Sequence, residues 1–244
     1  GMKDFTITDR NTVDKVAEQF DAYYLADASV TSDMVSAEVK ERWTMNDKGF
    51  ISARKDTAGQ DTGNETKNVD VLTFKGQEYT DFELTYTFQQ ASDRIGIIFG
   101  TKAGEFPIKK TEQGLEAAGG VMFYLSAEGH RAAWAESLKK DNYDNGRNGF
   151  TYDGSAILSF MEDDPWNMAP WGNVGVRKEH TMKIVVREKT FYAYVDGSVD
   201  PVMTLTLPET YEGGYVSFFS VSNENWGMKD FTITDRNTVD KVAE

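Results

Sequence analysis

Residues 81–88 read DFELTYTF. Phe82, Leu84, Tyr86 and Phe88 alternate with Glu83, Thr85 and Thr87, and an extended strand turns that period of two into one apolar face and one wetter face. A helix would spread the same side chains around its circumference, so the stretch reads as a β-strand lying on a core. Further strands read outward from it at 50–54, 69–74, 94–99, 120–126, 131–136, 156–160, 180–187, 190–195, 202–206, 215–220 and 228–234. Asp196-Gly197 between two extended segments reads as a turn. So many strands without βαβ spacing indicate an all-β protein of two antiparallel sheets packed face to face.

Helix is expected only near the N-terminus. Asn11 or Thr12 can cap a helix whose Val13, Val16, Ala17, Phe20, Tyr23 and Tyr24 share one stripe. A second helical segment is expected at about 32–42, where Met34, Val35 and Val39 fall together.

The sequence GMKDFTITDRNTVDKVAE occurs twice without a change, at 1–18 and at 227–244. Strand propensity constrains only face and residue type, so identity over a whole segment needs another cause. An array of near-identical units spaced by 226 residues is the expected one, with residues 1–18 finishing one unit and opening the next. An engineered repetition and chance reuse within one domain are the alternatives. The chain then divides into a duplicated strand segment with a helical linker at 1–42, a sandwich at 43–234, and the start of the repeated linker helix at 235–244. Phe231 and Ile233 share one face of the strand that ends the sandwich.

Composition narrows the partners. Forty acidic against 26 basic side chains leave a net charge of −14, which repels nucleic acid phosphates and anionic lipid surfaces. No apolar run reaches the roughly eighteen residues that cross a membrane, so neither nucleic acid nor membrane insertion is expected. The chain has no cysteine, which rules out disulfides, a thiol nucleophile and thiolate metal sites. His130 and His180 are too few for a His-rich zinc site, while oxygen-ligated Ca²⁺ stays open.

WTMNDKGFISARK, VDVLTFKGQEYTDFELTYTFQ, DRIGIIFG, GGVMFYLS, HTMKIVVREKTFYAYVDG and GGYVSFFSVSNENWGMKDFTI follow one another between Trp43 and Thr234. In that order they resemble the concanavalin A-like lectin and glucanase superfamily, above all its laminin G-like branch and the modules attached to bacterial glycan hydrolases. The resemblance implies a jelly-roll sandwich that binds glycans, cleaves them or spaces other domains. No Glu-x-Asp-x-x-Glu strand pairs carboxylates for acid and nucleophile duty. Where related proteins carry an acidic residue after GGV, this chain has Met122, Phe123 and Tyr124.

Sugar recognition needs flat apolar faces and short-reach polar groups. MEDDPWNMAPWG supplies Asp163, Asp164, Trp166, Asn167 and Trp171, with Pro165 and Pro170 shaping a loop; the two rings would equally plug the end of the sandwich. In GHRAAWAES, alternation places His130, Ala132, Trp134 and Glu136 on one face, with Arg94 able to reach the same groove. DNYDNGRNGFTYDG gathers Asp141, Asp144, Asn145 and Asp153 among glycines, a set suited to Ca²⁺, although its spacing fails the EF-hand pattern and a solvated turn has the same composition.

The function expected is a non-catalytic carbohydrate-binding or spacer module of a larger, tandem-repeat bacterial surface or secreted protein. Its partners would be a glycan or polysaccharide and neighbouring modules of the same polypeptide. The alternatives are a glycoside hydrolase using Asp93, Glu136, Asp163 or Asp164, and an adhesin repeat whose contacts run from module to module.

Overall fold

The computed structural model describes residues 13–25, 34–53, 69–89, 95–102, 108–111, 114–117, 121–126, 132–137, 151–157, 179–207, 209–221 and 227–237. In chain order they form α1 (Val13–Gln19), β1 (Phe20–Leu25), β2 (Val35–Ala37), α2 (Val39–Arg42), β3 (Trp43–Met45), β4 (Ile51–Ala53), β5 (Val69–Phe74) and β6 (Phe82–Gln89). There follow β7 (Ile95–Thr101), β8 (Ile108–Thr111), β9 (Gly114–Ala117), β10 (Val121–Ser126), β11 (Ala132–Ser137) and β12 (Thr151–Ile157). β13 (His180–Arg187), β14 (Thr190–Val195), β15 (Met203–Thr206), β16 (Tyr215–Val221) and β17 (Gly227–Asp235) complete the set.

Two antiparallel sheets face each other, as expected. One has eight strands in the order β12-β11-β10-β7-β16-β5-β1-β2, the other seven in the order β15-β14-β13-β6-β17-β4-β3, and β8 pairs β9 separately. The DFELTYTF alternation is real: along β6 buried and half-buried residues alternate strictly, with Phe82, Leu84, Tyr86 and Phe88 turned into the core. β13 and β14 beside it repeat the pattern. At the turn after β14, Asp196 and Gly197 both have positive φ, 50° and 70°, the backbone that Asp-Gly adopts readily.

The last two strands enter the middle of the sheets. β16 lies between β7 and β5, and β17 between β6 and β4. Phe231 and Ile233 pack against the core, and the Phe231 ring meets Phe20 and Phe218 at centroid distances of 5.6 and 5.0 Å. Only glycine fits at position 227, because a Cβ there would stand 2.9 Å from the Phe50 Cβ.

The N-terminal helix is shorter than its apolar stripe. It stops at Gln19, and Phe20, Tyr23 and Tyr24 belong to β1, which pairs with β5 from Phe20↔Phe74 to Leu25↔Val69. Aromatic side chains lose less freedom in a strand than against a helix turn, and an open sheet edge lay ready for them. The helix expected at 32–42 is instead β2 followed by the single turn α2. That turn delivers Arg42 to Asp70, with Nε on Oδ1 at 2.8 Å and Nη2 on Oδ2 at 3.1 Å. Asp70 is fully buried, and the guanidinium carbon of Arg42 also lies 3.5 Å over the Tyr24 ring. The strand expected at 156–160 runs at Thr151–Ile157. The cap at Asn11 or Thr12 and the first FTIT segment lie outside the described residues; of the repeated helix expected at 235–244, Asp235 ends β17 and 238–244 lie outside them.

Arg42→Met is expected to destabilise the fold by about 3–5 kcal/mol by stranding the buried Asp70 charge; the urea midpoint checks it. Burial drives the phenols of Tyr86 and Tyr211 well above their ordinary value of 10.0, and Asp81 adds to the effect at Tyr211. Their folded values exceed the unfolded one, so the stability they contribute is complete below pH 10 and is lost as pH rises beyond it. Absorbance at 295 nm during alkaline titration should show these two tyrosines ionising only together with unfolding.

Candidate functional site

β5, β16 and β7 read VDVLTF, YVSFFSV and IGIIFGT, apolar runs with little alternation. Strands of that texture are covered on both faces. Leu72, Phe74, Val216, Phe218, Ile97 and Phe99 supply the inner face. Val71, Phe219 and Ile98 occupy the opposite face and are also 0% exposed. The seven-stranded sheet turns the half-buried Glu83, Thr85 and Thr87 outward instead. The outward face of the eight-stranded sheet is therefore the place where apolar surface exceeds what the central core requires.

Register orders that face into rows. Cα pairing aligns Tyr23, Val71, Phe219, Gly96, Tyr124 and Trp134 across six strands. The next row holds Asp21, Thr73, Ser217, Ile98, Met122 and Glu136. Trp134 and Glu136 thus fall in adjacent rows of the register, with Tyr124 the Cα partner of Trp134. Their side chains, and that of Asp153, are outside the description; Asp153 is the extra residue where β12 shifts register against β11. Arg94, His130, Asp163, Asp164, Trp166, Asn167, Trp171, Asp141, Asp144 and Asn145 lie outside the described residues, as does Asp93.

The middle of the face is closed. Val71, Ile98 and Phe219 are inaccessible, and the Thr73 and Ser217 hydroxyls hydrogen-bond each other at 2.8 Å in full burial. A ligand on this sheet must use the flanks. At the described flank, Tyr23 is half-buried and Asp21 is exposed, with Lys75 Nζ 3.6 Å from its carboxylate; Tyr215, at the start of the central strand β16, is half-buried as well. Burial raises the Tyr23 phenol above its usual value, and the charges of Asp21 and Tyr215 push the same way. It stays a neutral hydroxyl that can both donate and accept. Sequence reading missed Tyr23 and Tyr215: the helical stripe claimed Tyr23, and nothing local distinguishes Tyr215 from a core aromatic.

The one described histidine, His180, is tied to a carboxylate. His180 Nδ1 lies 2.7 Å from Asp196 Oδ2, while Asp196 Oδ1 accepts the Thr181 amide at 2.8 Å. The His180 ring sits against Phe88 at 5.7 Å on the inner face, so the pair ties the start of β13 to the Asp196-Gly197 turn. Among the described residues no group of three or more His, Cys, Asp or Glu could hold a metal ion, and no helix is long and apolar enough to cross a membrane.

No protein-family profile and no curated protein matches the sequence. Solved structures do match in fold. The carbohydrate-binding module CBM66 from Bacillus subtilis superposes with a TM-score of 0.50 at 10% identity, over 87% of this chain and 95% of that one. A legume lectin-like domain from Entamoeba histolytica gives 0.51 at 11% identity, over 96% and 99%. The VIP36 exoplasmic/lumenal domain in its Ca²⁺- and mannose-bound form gives 0.50 at 8%, over 88% and 82%. At these identities the likeness establishes the two-sheet antiparallel sandwich fold and nothing finer.

The covered outer face has a direct test. Phe219→Ala is expected to cost about 3–5 kcal/mol although Phe219 faces away from the central core. Thr85→Ala on the outward face of the other sheet should stay within about 0.5 kcal/mol. Denaturant midpoints of the two variants measure the contrast.

Proposed function

We propose that this chain is a non-catalytic carbohydrate-binding module, repeated along a larger bacterial surface or secreted protein. The observation that carries the reading is the aromatic row on the outward face of the eight-stranded sheet, in a sandwich of the same fold as a carbohydrate-binding module and lectin domains. Tyr23 stands at one end of the row and the Tyr124 and Trp134 positions at the other, with Tyr215 at the start of the central strand β16. Aromatic faces take the C–H side of a sugar ring, while Asp21, Glu136 and the tyrosine hydroxyls suit its hydroxyl groups. The loop residues Asp163, Asp164, Trp166, Asn167 and Trp171, with Arg94 and His130, are the further contacts we assign to the glycan.

Calcium is assigned to Asp141, Asp144, Asn145 and Asp153, hard oxygen donors among glycines, in keeping with the Ca²⁺ named for the VIP36 domain. Its role would be to stiffen the loop and leave the sugar-binding face in place. Repetition fits weak binding by a single unit, because tethered copies raise effective concentration. An extracellular or cell-surface location follows from the polysaccharide partner. Sequencing of the flanking gene product tests repetition independently: further 226-residue units support it, and their absence removes it.

Calorimetric titration with a polysaccharide panel, with and without Ca²⁺, tests the module. Binding by at least one polysaccharide is expected, weakened about tenfold or more by Trp134→Ala or by Tyr23→Ala. No binding across the panel reduces the chain to a spacer.

A further inference from the structure

We propose that the slot between β6 and β4, filled here by β17, accepts residues 1–9 of a second copy of this chain once β17 is weakened. The proposal rests on the repeat reading above and is independent of sugar binding. Residues 1–9, GMKDFTITD, are identical to β17. Every feature of the slot that selects β17 therefore selects them. The slot demands glycine against Phe50, a buried methionine at the position of Met228, and two apolar side chains at the positions of Phe231 and Ile233. It also demands a left-handed residue at the position of Asp230, whose φ is 56°.

The two copies of the duplicated segment are used in complementary halves. The helix half of the first copy, α1, packs on this sandwich through buried Val16, with Val13 and Ala17 beside it. The strand half of the second copy, β17, completes the seven-stranded sheet. Arg10, Asn11 and Thr12 follow residues 1–9 in the first copy, as Arg236, Asn237 and Thr238 follow β17 in the second. Residues 1–9 thus precede α1 in the chain, and on the repeat reading they hold the place of a closing strand for a preceding sandwich. A separate chain with a vacant slot presents that same sandwich.

In the intact chain the resident strand is tethered. Replacing it with an identical one adds no contact, while association costs translational and rotational freedom, so intact chains stay separate. Weakening β17 alone makes the first copy the better occupant. Each acceptor then offers its own residues 1–9 onward, and the result is an open head-to-tail chain.

The chain has no cysteine, so a disulfide can report the occupant. Thr232 and Thr85 are Cα partners between β17 and β6, within the separation of about 4.4–6.8 Å that a disulfide spans, and position 6 matches position 232. The full chain carrying Thr6→Cys and Thr85→Cys is oxidised with and without Phe231→Ala and Ile233→Ala. Thr232→Cys with Thr85→Cys serves as the geometric control and should close within monomers. In the weakened chain, disulfide-linked dimers and longer ladders are expected, at least about tenfold more abundant than with the native strand and rising with concentration. Where circular dichroism shows that the weakened chain has lost its fold, the chain with native β17 held near its melting temperature should form the same ladders. Absence of ladders while the control closes, or a position 6–85 disulfide confined to monomers, overturns the proposal. Neither result bears on the sugar titration or on the flanking repeats.

Discussion

An aromatic layer between the two sheets is the interaction on which the rest of the molecule depends. Phe20, Phe74, Phe218 and Phe231 meet with centroids 4.4–6.1 Å apart, and Tyr86 closes on Phe218 at 5.1 Å. A second group joins Phe99, stacked on Phe191 at 5.8 Å, to Phe82, Tyr211 and, through Phe191, Phe123. Ring pairs in such geometries add to the burial of their large apolar surfaces. Their positions in the chain run from 20 to 231, so the layer closes only when distant segments meet. With β16 and β17 as central strands, neither sheet is complete until the final segments arrive, a topology of high contact order and slow assembly.

The two sheets use this layer differently. The seven-stranded sheet buries one face and wets the other, so its strands carry threonine, glutamate and lysine at every second position. The eight-stranded sheet is dry on both faces at its middle, which requires Val71, Ile98 and Phe219 where alternation would have placed polar groups. Two of the polar groups that do enter are paired: Asp70 with Arg42, Thr73 with Ser217.

Where burial is one-sided, local sequence was sufficient. DFELTYTF and HTMKIVVR became β6 and β13 at the expected boundaries, because period-two alternation and a sheet face are the same geometry. It misled at Phe20, Tyr23 and Tyr24, whose 3.6-residue spacing from Val13 and Val16 mimics a helix stripe while the pairing with β5 decides for strand. It misled again at 32–42, where Val35 pairs with Tyr24 and Val39 opens a single turn. The site was legible in part. Trp134 and Glu136 could be assigned a common face from alternation, but the alignment of Trp134 with Tyr124, Gly96, Phe219 and Tyr23 needs strand order that no local pattern encodes.

The sequence by itself determined that the protein is a two-sheet β-sandwich, that it lacks all thiol chemistry, and that its closing strand exists in two identical copies. These follow from residue type, period and identity, which need no partner to be read. Tertiary structure alone decided that the closing strand is central in its sheet, that one sheet is covered on both faces at its middle, and that Tyr23 falls in one row with Val71 and Phe219. Each of those is a property of which strand lies beside which, and hydrogen-bonded neighbours in a sheet are set by the packing of the whole chain.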